Sequence, residues 1–413
     1  MRAARLLAAL LAAALALPLA AGEKSAPPVQ ASAVILQDAA TGKVLYQRHA
    51  DQRRPMASTT KVMTALLVIE SGRLAETVTV SERAANTTQS SLWLRPGEHM
   101  SVEDLLTALL VKSANDAATA LAEHLAGTEE AFVVLMNMRA RELGAQSTHF
   151  CNPHGLYQPD HYTTARDLAL ITREALKHPL FRRLVATRAT TVPFEGKPWR
   201  RAVHSKNRLL ADFPGGDGVK TGYVKESGQC LVASATRSRW QLVAVLLDSP
   251  DLWTEAKGLL EWGFACFQPV VFARPGQLAY RLPVRGARTR TLPVAVKDIL
   301  QEVIPRAAAA RGLAVRCRLD RQWAPFRRGE RVGRCTLLAG GRPLRSVPLY
   351  AAADLGRSPL AAAWHWGQRV ALALLLAALG IRTYAKTAKN ARQGRRRRQA
   401  RFRAPDPGGP GKG

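Results

Sequence analysis

A hydroxyl and an amine stand three residues apart in Pro55-Met56-Ala57-Ser58-Thr59-Thr60-Lys61-Val62-Met63, at the head of an apolar run. Residues at i and i+3 share a helix face, so on a helix Ser58 and Lys61 project side by side. An amine pushed toward neutrality by burial takes the hydroxyl proton, and the serine becomes a nucleophile. Ser58 would also lie at the helix N-terminus, where the peptide dipole favours developing negative charge. Alone the pair carries little weight. A Ser before a helix is usually a cap and a Lys in a first turn usually solvated, and Ser-x-x-Lys recurs by chance in a chain of 413 residues.

Two companions change that weight. Ser113 and Asn115, in Val111-Lys112-Ser113-Ala114-Asn115-Asp116, offer a hydroxyl for proton relay and an amide to hold a substrate backbone; the same residue types are also favoured helix caps. Ser205-Lys206-Asn207 repeats the spacing, but Ser113 sits in a sharp break between two apolar helices, better placed to face Ser58. The third group is Lys220-Thr221-Gly222-Tyr223, after the glycine-rich turn Pro214-Gly215-Gly216-Asp217-Gly218. On an edge strand Lys220 and Thr221 give a cation and a hydroxyl for an anionic substrate end, and Gly222 clears space where a ligand lies close. The backbone N–H after Gly222 can join that of Ser58 as an oxyanion hole. Three motifs in this order, each in the element its chemistry needs, make chance agreement small.

The elements that must position them follow from periodicity. Residues 33–36 and 43–46 flank Asp38-Ala39-Ala40-Thr41-Gly42 as a hairpin. The Ser58 helix runs to about residue 70, with Gly72 as its stop. A short strand falls at 78–80, and Ser101-Val102-Glu103-Asp104 reads as a capping box for a helix that breaks at 111–116. Helices resume with Ala117, Leu121 and Leu125 on one face and again over 129–143. Strands begin at Val219 and cover 229–235 and 240–247.

At this point the chain resembles the serine-type D-alanyl-D-alanine carboxypeptidases, the low-molecular-mass penicillin-binding proteins of peptidase family S11. Beyond the three motifs the likeness runs through Ala114-Asn115-Asp116-Ala117-Ala118, Asn152-Pro153-His154-Gly155-Leu156, Thr164-Ala165-Arg166-Asp167-Leu168-Ala169 and Asp217-Gly218-Val219-Lys220-Thr221-Gly222-Tyr223. It covers residues 34–270, and the region after them more loosely. The resemblance implies an α/β transpeptidase/β-lactamase-like catalytic domain, an antiparallel sheet flanked by helices, over 30–268. It implies a hydrolase that trims peptidoglycan stem peptides. Ser58 would be acylated by the penultimate D-alanine and release the last one, with Lys61 as its base. Ser113 would relay protons and Asn115 hold the substrate amide. Lys220 would tune the local potential and Thr221 bind the terminal carboxylate, while the N–H groups of Ser58 and Tyr223 hold the oxyanion. Water would then free the enzyme, β-lactams would stall at the acyl stage, and no metal or organic cofactor is required. Many relatives carry an Arg in the loop after the third strand. Here that loop is Asp248-Ser249-Pro250-Asp251-Leu252-Trp253, which leaves carboxylate recognition to Thr221 and other groups. His154 reads as a turn residue and Asp167 as support for a helix start, neither as catalytic.

Composition places the molecule. The net charge is +29, and much of the excess, out of proportion to its length, lies in residues 382–413, where Asp406 is the one acid among 11 Lys and Arg. No nucleic-acid-binding module accompanies it, so a membrane-adjacent tail is expected rather than nucleic-acid binding. Residues 1–22 read as a secretory signal, with Arg2 and Arg5 before an apolar stretch and Leu19-Ala20-Ala21 as the cleavage site. Five cysteines lack metal spacing. Cys317 and Cys335 fall in one later domain and could pair in an oxidising compartment, and Cys151, Cys230 and Cys266 read as small buried residues. Residues 270–352 alternate short strands with Gly and Pro, a small all-β domain that the resembled family builds as a sandwich. Residues 360–381 form an anchor helix. Its clean apolar core, 370–381, reaches the roughly 20 residues a span needs only by extending through Arg369, Trp366 and Trp364; a surface-lying amphipathic helix is the rival. The basic segment 382–413 is expected to be disordered and near anionic lipid, with the catalytic domain on the extracytoplasmic side of the cell membrane. Three alternatives stay open. These are a D,D-endopeptidase using the same residues, a β-lactamase (which lacks its Glu-x-x-Leu-Asn motif here), and a penicillin-binding scaffold without turnover.

Overall fold

The sequences around residues 33–38, 228–237 and 240–247 are nearly continuous apolar runs, the pattern of strands covered on both faces. In the computed structural model, which describes residues 25–276, 278–310 and 312–401, they belong to one antiparallel five-stranded sheet. Its strands are β1 (Ala33–Asp38), β2 (Val44–Arg48), β3 (Gly216–Val224), β4 (Gly228–Arg237) and β5 (Trp240–Leu247), in the spatial order β2-β1-β5-β4-β3. Side chains alternate between faces. Ile35, Val232, Val243 and Val245 enter one core, whereas Val34, Leu36, Leu231, Ala233, Leu242 and Leu246 enter the other.

Helices cover both faces. The first core takes Met63 and Leu66 from α1 (Lys61–Glu70), Leu105 from α2 (Val102–Thr107) and Leu121 from α3 (Asn115–Ala126). It also takes Phe132 from α4 (Glu129–Glu142) and Ile171 from α5 (Ala165–Ala175). The second is closed by α6 (Leu252–Cys266), whose Leu252, Ala256, Leu259, Leu260 and Phe264 recur at helical spacing. Full burial of each such large side chain is worth roughly 1.5–3 kcal/mol. The Ser101 cap is as the sequence suggests, and Thr128 and Thr164 cap in the same way: each hydroxyl accepts the N–H three residues on.

Register aims the third motif. Ile35 lies opposite Val245, Val245 opposite Val232, and Val232 opposite Lys220. Cross-strand neighbours share a face, so the Lys220 side chain projects to the side where α1 and α3 pack. Gly222, on the edge strand β3, has no room for a side chain. An added Cβ would stand 3.0 Å from both the Met56 carbonyl oxygen and the Ser58 nitrogen.

The described chain divides into two compact units, one made of residues up to Val270 with Glu302–Gly312, the other of Val271–Gln301 with the residues from Leu313 onward. The second unit is sheet-rich. Its strands are β6 (Leu278–Pro283), β7 (Thr291–Val296), β8 (Leu313–Leu319), β9 (Arg331–Ala339) and β10 (Arg342–Ala351), in the order β6-β7-β10-β9-β8. Leu292, Val294, Leu337 and Leu349 form its core. The strands at 278–283 and 300–305 and the short helix Arg306–Ala310 go beyond the sequence expectation; both strands are only six residues long and end in proline, too short for a clear alternation. Cys317 and Cys335 face each other directly across β8 and β9 as free thiols, with their Sγ atoms 2.8 Å apart.

A single helix, α7 (Pro359–Arg401), ends the described chain. It corrects the expectation of disorder from 382 onward. The basic segment is rich in Arg, Lys, Ala and Gln, all good helix formers, and continues the apolar helix to Arg401. Residues 402–413, like the expected signal at 1–22, lie outside the described residues.

Candidate active site

Ser58 sits in one 3-10 turn, Ala57–Thr60, that leads directly into α1 at Lys61. The turn is tied down on every side. Thr59 Oγ1 donates to the Met56 carbonyl (2.6 Å), Thr60 Oγ1 to that of Ala57 (2.8 Å), and Thr64 Oγ1 to that of Pro153 (2.6 Å). Thr60 Oγ1 also meets His161 Nε2 at 2.7 Å. Ala57 has φ +47°, a left-handed conformation costly for a residue with a Cβ. Gly155 presses against it so closely that a Cβ there would come within 2.0 Å of the Ala57 oxygen.

Lys61 is wholly buried, and its ammonium position has three partners: Ser58 Oγ at 2.9 Å, Asn115 Oδ1 at 2.6 Å and the His154 carbonyl at 2.6 Å. Two of these are oxygens that can only accept; the third is a hydroxyl that can also donate. A neutral amine, with two N–H groups and one lone pair, satisfies all three, with Ser58 giving its proton toward the lone pair. Electrostatics favours the same state. Burial drives the Lys61 pKa well below its ordinary value, and the positive charges of Lys220 and Lys206 push further down against the opposing pull of Asp116. The His154 imidazole is likewise held neutral, its pKa lowered to about 3 chiefly by burial.

Ser113 and Asn115 reach the site through an irregular helix end. After α2 the chain widens into one π-helical turn, Ala108–Lys112, and Ser113 then takes φ +68° before α3 starts at Asn115. Ser113 and Asn115 line an open cleft of about 690 Å³ together with Ser58, Thr221, Gly222 and Tyr223. A smaller hollow beside it is lined by Ser113, Lys206, Lys220 and Thr221. Lys220 is nearly buried and donates to the Thr221 carbonyl at 2.9 Å, and burial, with Lys206 nearby, lowers its pKa to about 7. All eight residues singled out from sequence therefore meet at one place, Lys61 through Ser58 and Asn115. Asn115 differs from expectation in one respect: both arms of its amide are taken, Oδ1 by Lys61 and Nδ2 by the Thr88 carbonyl (2.9 Å).

Sequence reasoning missed several residues of the cleft. Gln89, Ser90, Gly155, Leu156, Lys206, Leu252 and Trp253 line it too. Lys206 belongs to the repeat set aside as the poorer Ser-x-Asn match, and its neighbour Asn207 keeps a buried Nδ2 without a hydrogen-bond partner. In the Asp248–Trp253 loop, which lacks Arg, Trp253 faces the cleft and carries the Arg208 guanidinium 5.6 Å over its ring. His154 contributes a carbonyl rather than its ring, and Asp167 accepts from Ser147 N and Thr148 Oγ1 near the start of α5, a supporting role as expected.

Residues 20–251 match the Peptidase S11 family, described as D-alanyl-D-alanine carboxypeptidase. Among curated proteins the chain is 30% identical to the D-alanyl-D-alanine carboxypeptidase DacF of Bacillus subtilis, over 80% of this chain and 87% of that one. It is 33% identical to DacC of Escherichia coli, over 78% and 84%. Among solved structures it resembles penicillin binding protein 5 from Haemophilus influenzae (TM-score 0.71, 29% identity, covering 81% of this chain and 99% of that one). Penicillin binding protein 6B from Escherichia coli is also similar (TM-score 0.64, 28% identity, covering 79% and 97%).

Proposed function

This chain belongs to the D-alanyl-D-alanine carboxypeptidase family of serine peptidases, and we propose that it removes the terminal D-alanine from peptidoglycan stem peptides through an acyl-serine intermediate. The observation that carries the mechanism is the three-partner environment of Lys61. Ser58 Oγ attacks the carbonyl carbon of the penultimate D-alanine while its proton passes to Lys61 Nζ. The carbonyl oxygen gains the negative charge and is held by the N–H groups of Ser58 and Tyr223. The C–N bond then breaks, and the leaving D-alanine takes a proton relayed from Lys61 by way of Ser113. Water attacks the ester carbon with Lys61 again accepting its proton; the bond to Ser58 Oγ then breaks, Lys61 returns that proton to Ser58 Oγ, and the shortened peptide leaves as its carboxylate. Asn115 acts by fixing Lys61, and Thr221 with Lys206 receives the terminal carboxylate. A β-lactam acylates Ser58 by the same first step and stays.

The anchor belongs to the same reading. The described residues contain one helix long and apolar enough to cross a bilayer, Pro359–Arg395. Its Leu372, Leu374, Leu375, Leu376, Leu379 and Ile381 are all more than half exposed, a surface that water does not favour. With the basic segment on the cytoplasmic side, the catalytic unit lies outside, where peptidoglycan is.

The test is release of free D-alanine from a pentapeptide ending in D-Ala-D-Ala, run beside Ser58→Ala. Wild type should turn over and form a covalent penicillin adduct on Ser58; Ser58→Ala should do neither. Equal behaviour of the two proteins contradicts the assignment.

A further inference from the structure

One wall of the cleft comes from a loop that none of the three motifs includes. Residues 88–94 are stitched to the start of α3 from below. Asp116, fully buried, accepts from Ser91 Oγ (2.6 Å), Leu92 N (2.9 Å) and Leu94 N (3.1 Å). Asn115 donates its backbone N–H to the Ser90 carbonyl (2.6 Å) and its Nδ2 to that of Thr88, and Ser90 Oγ donates to the Lys112 carbonyl (3.1 Å). Gln89 stands between two tethered neighbours, lines the cleft, and holds φ +70°. Left-handed backbone is unfavourable for glutamine and persists only where the surroundings over-determine it. A Gly at 89 would adopt this turn without strain. The fold instead holds a residue that has a side chain, in strained backbone, on the wall of the cleft.

The chemistry of that side chain selects its partner. A carboxamide offers one acceptor and two donors and carries no charge, so it pairs with the alternating C=O and N–H groups of an extended peptide. It does not compete with Lys206 and Thr221 for a carboxylate. We propose that Gln89 is a specificity-determining residue that hydrogen-bonds the backbone of the stem peptide lying in the cleft, with Asp116 as the positioning residue that clamps its loop. This rests on the assignment of the cleft as the peptide site.

Gln89→Gly removes the carboxamide and favours the observed backbone, so it should fold at least as well as wild type. Loss of one neutral hydrogen bond to substrate predicts that kcat/KM for the pentapeptide falls about 5- to 10-fold, carried by KM. Gln89→Ala, which also lacks the amide, should match it. Labelling of Ser58 by a fluorescent penicillin in both variants reports that the catalytic residues are still assembled. A kcat/KM equal to wild type in the Gly variant, or a loss carried by kcat alone, overturns the role of Gln89. A wild-type chain that neither labels nor releases D-alanine would instead defeat the proposed function on which it rests.

Discussion

Lys61 is the residue on which the proposed chemistry turns, because burial disfavours its charged form more than Asp116 restores it. Its Nζ meets two obligate acceptors and one hydroxyl, and among the described residues no carboxylate is hydrogen-bonded to it to offset desolvation. Lys206 and Lys220 add positive charge nearby, and both push the Lys61 pKa down. The sign of a test follows. Removing the Lys206 charge in Lys206→Gln lets Lys61 keep its proton to higher pH, so the acid limb of the Ser58 acylation rate shifts upward in pH. An unmoved limb, measured with a penicillin that does not itself titrate, would show that Lys206 acts on substrate binding alone.

At the scale of elements, the site is an agreement between a 3-10 turn, a π-distorted helix end and a sheet edge. The turn is the most tightly constrained of the three. Gly155 has φ +89° and its missing Cβ would overlap the Ala57 carbonyl. Gly155→Ala is therefore expected to lower stability by about 2 kcal/mol or more in denaturant unfolding, and to displace Ser58 enough to abolish penicillin labelling. Full labelling in that variant would mean the turn relaxes freely. The motif residues were legible because each motif is local: Ser58 with Lys61, Ser113 with Asn115, Lys220 with Thr221 and Gly222 are separated by a few residues and sit where periodicity changes. Lys206 and Gln89 were not. Lys206 arrives with the short strand Arg201–His204, and Gln89 with a loop whose tether, Asp116, lies 27 positions further on. No spacing in the sequence announces such contacts. The same limit explains why Asn115 was read as a substrate contact, since only the folded chain brings the Thr88 carbonyl to its Nδ2.

For the whole molecule, the sheet-rich second unit and α7 carry none of the three motifs, whose residues all fall in the first unit. The order of the large pieces was readable from composition: apolar runs, then short strands, then an apolar helix followed by basic residues. The extension of that helix through 382–401 was not, because high charge reads equally well as a solvated tail or a solvated helix. If α7 is the anchor, a chain ending at Ser358 should appear in the soluble fraction after lysis with D-alanine release retained, whereas the full chain should resist alkaline extraction from membranes. Full-length protein freed by alkali would favour a surface-lying helix instead.

The most direct test of the account is the pH dependence of Ser58 acylation in the wild-type protein, followed as the rate of penicillin adduct formation by mass spectrometry. A buried Lys61 held well below the ordinary lysine range predicts that the rate reaches its plateau well below the pH at which an ordinary lysine gives up its proton. A rate still climbing in proportion to hydroxide through neutral pH and into the ordinary lysine range would contradict it.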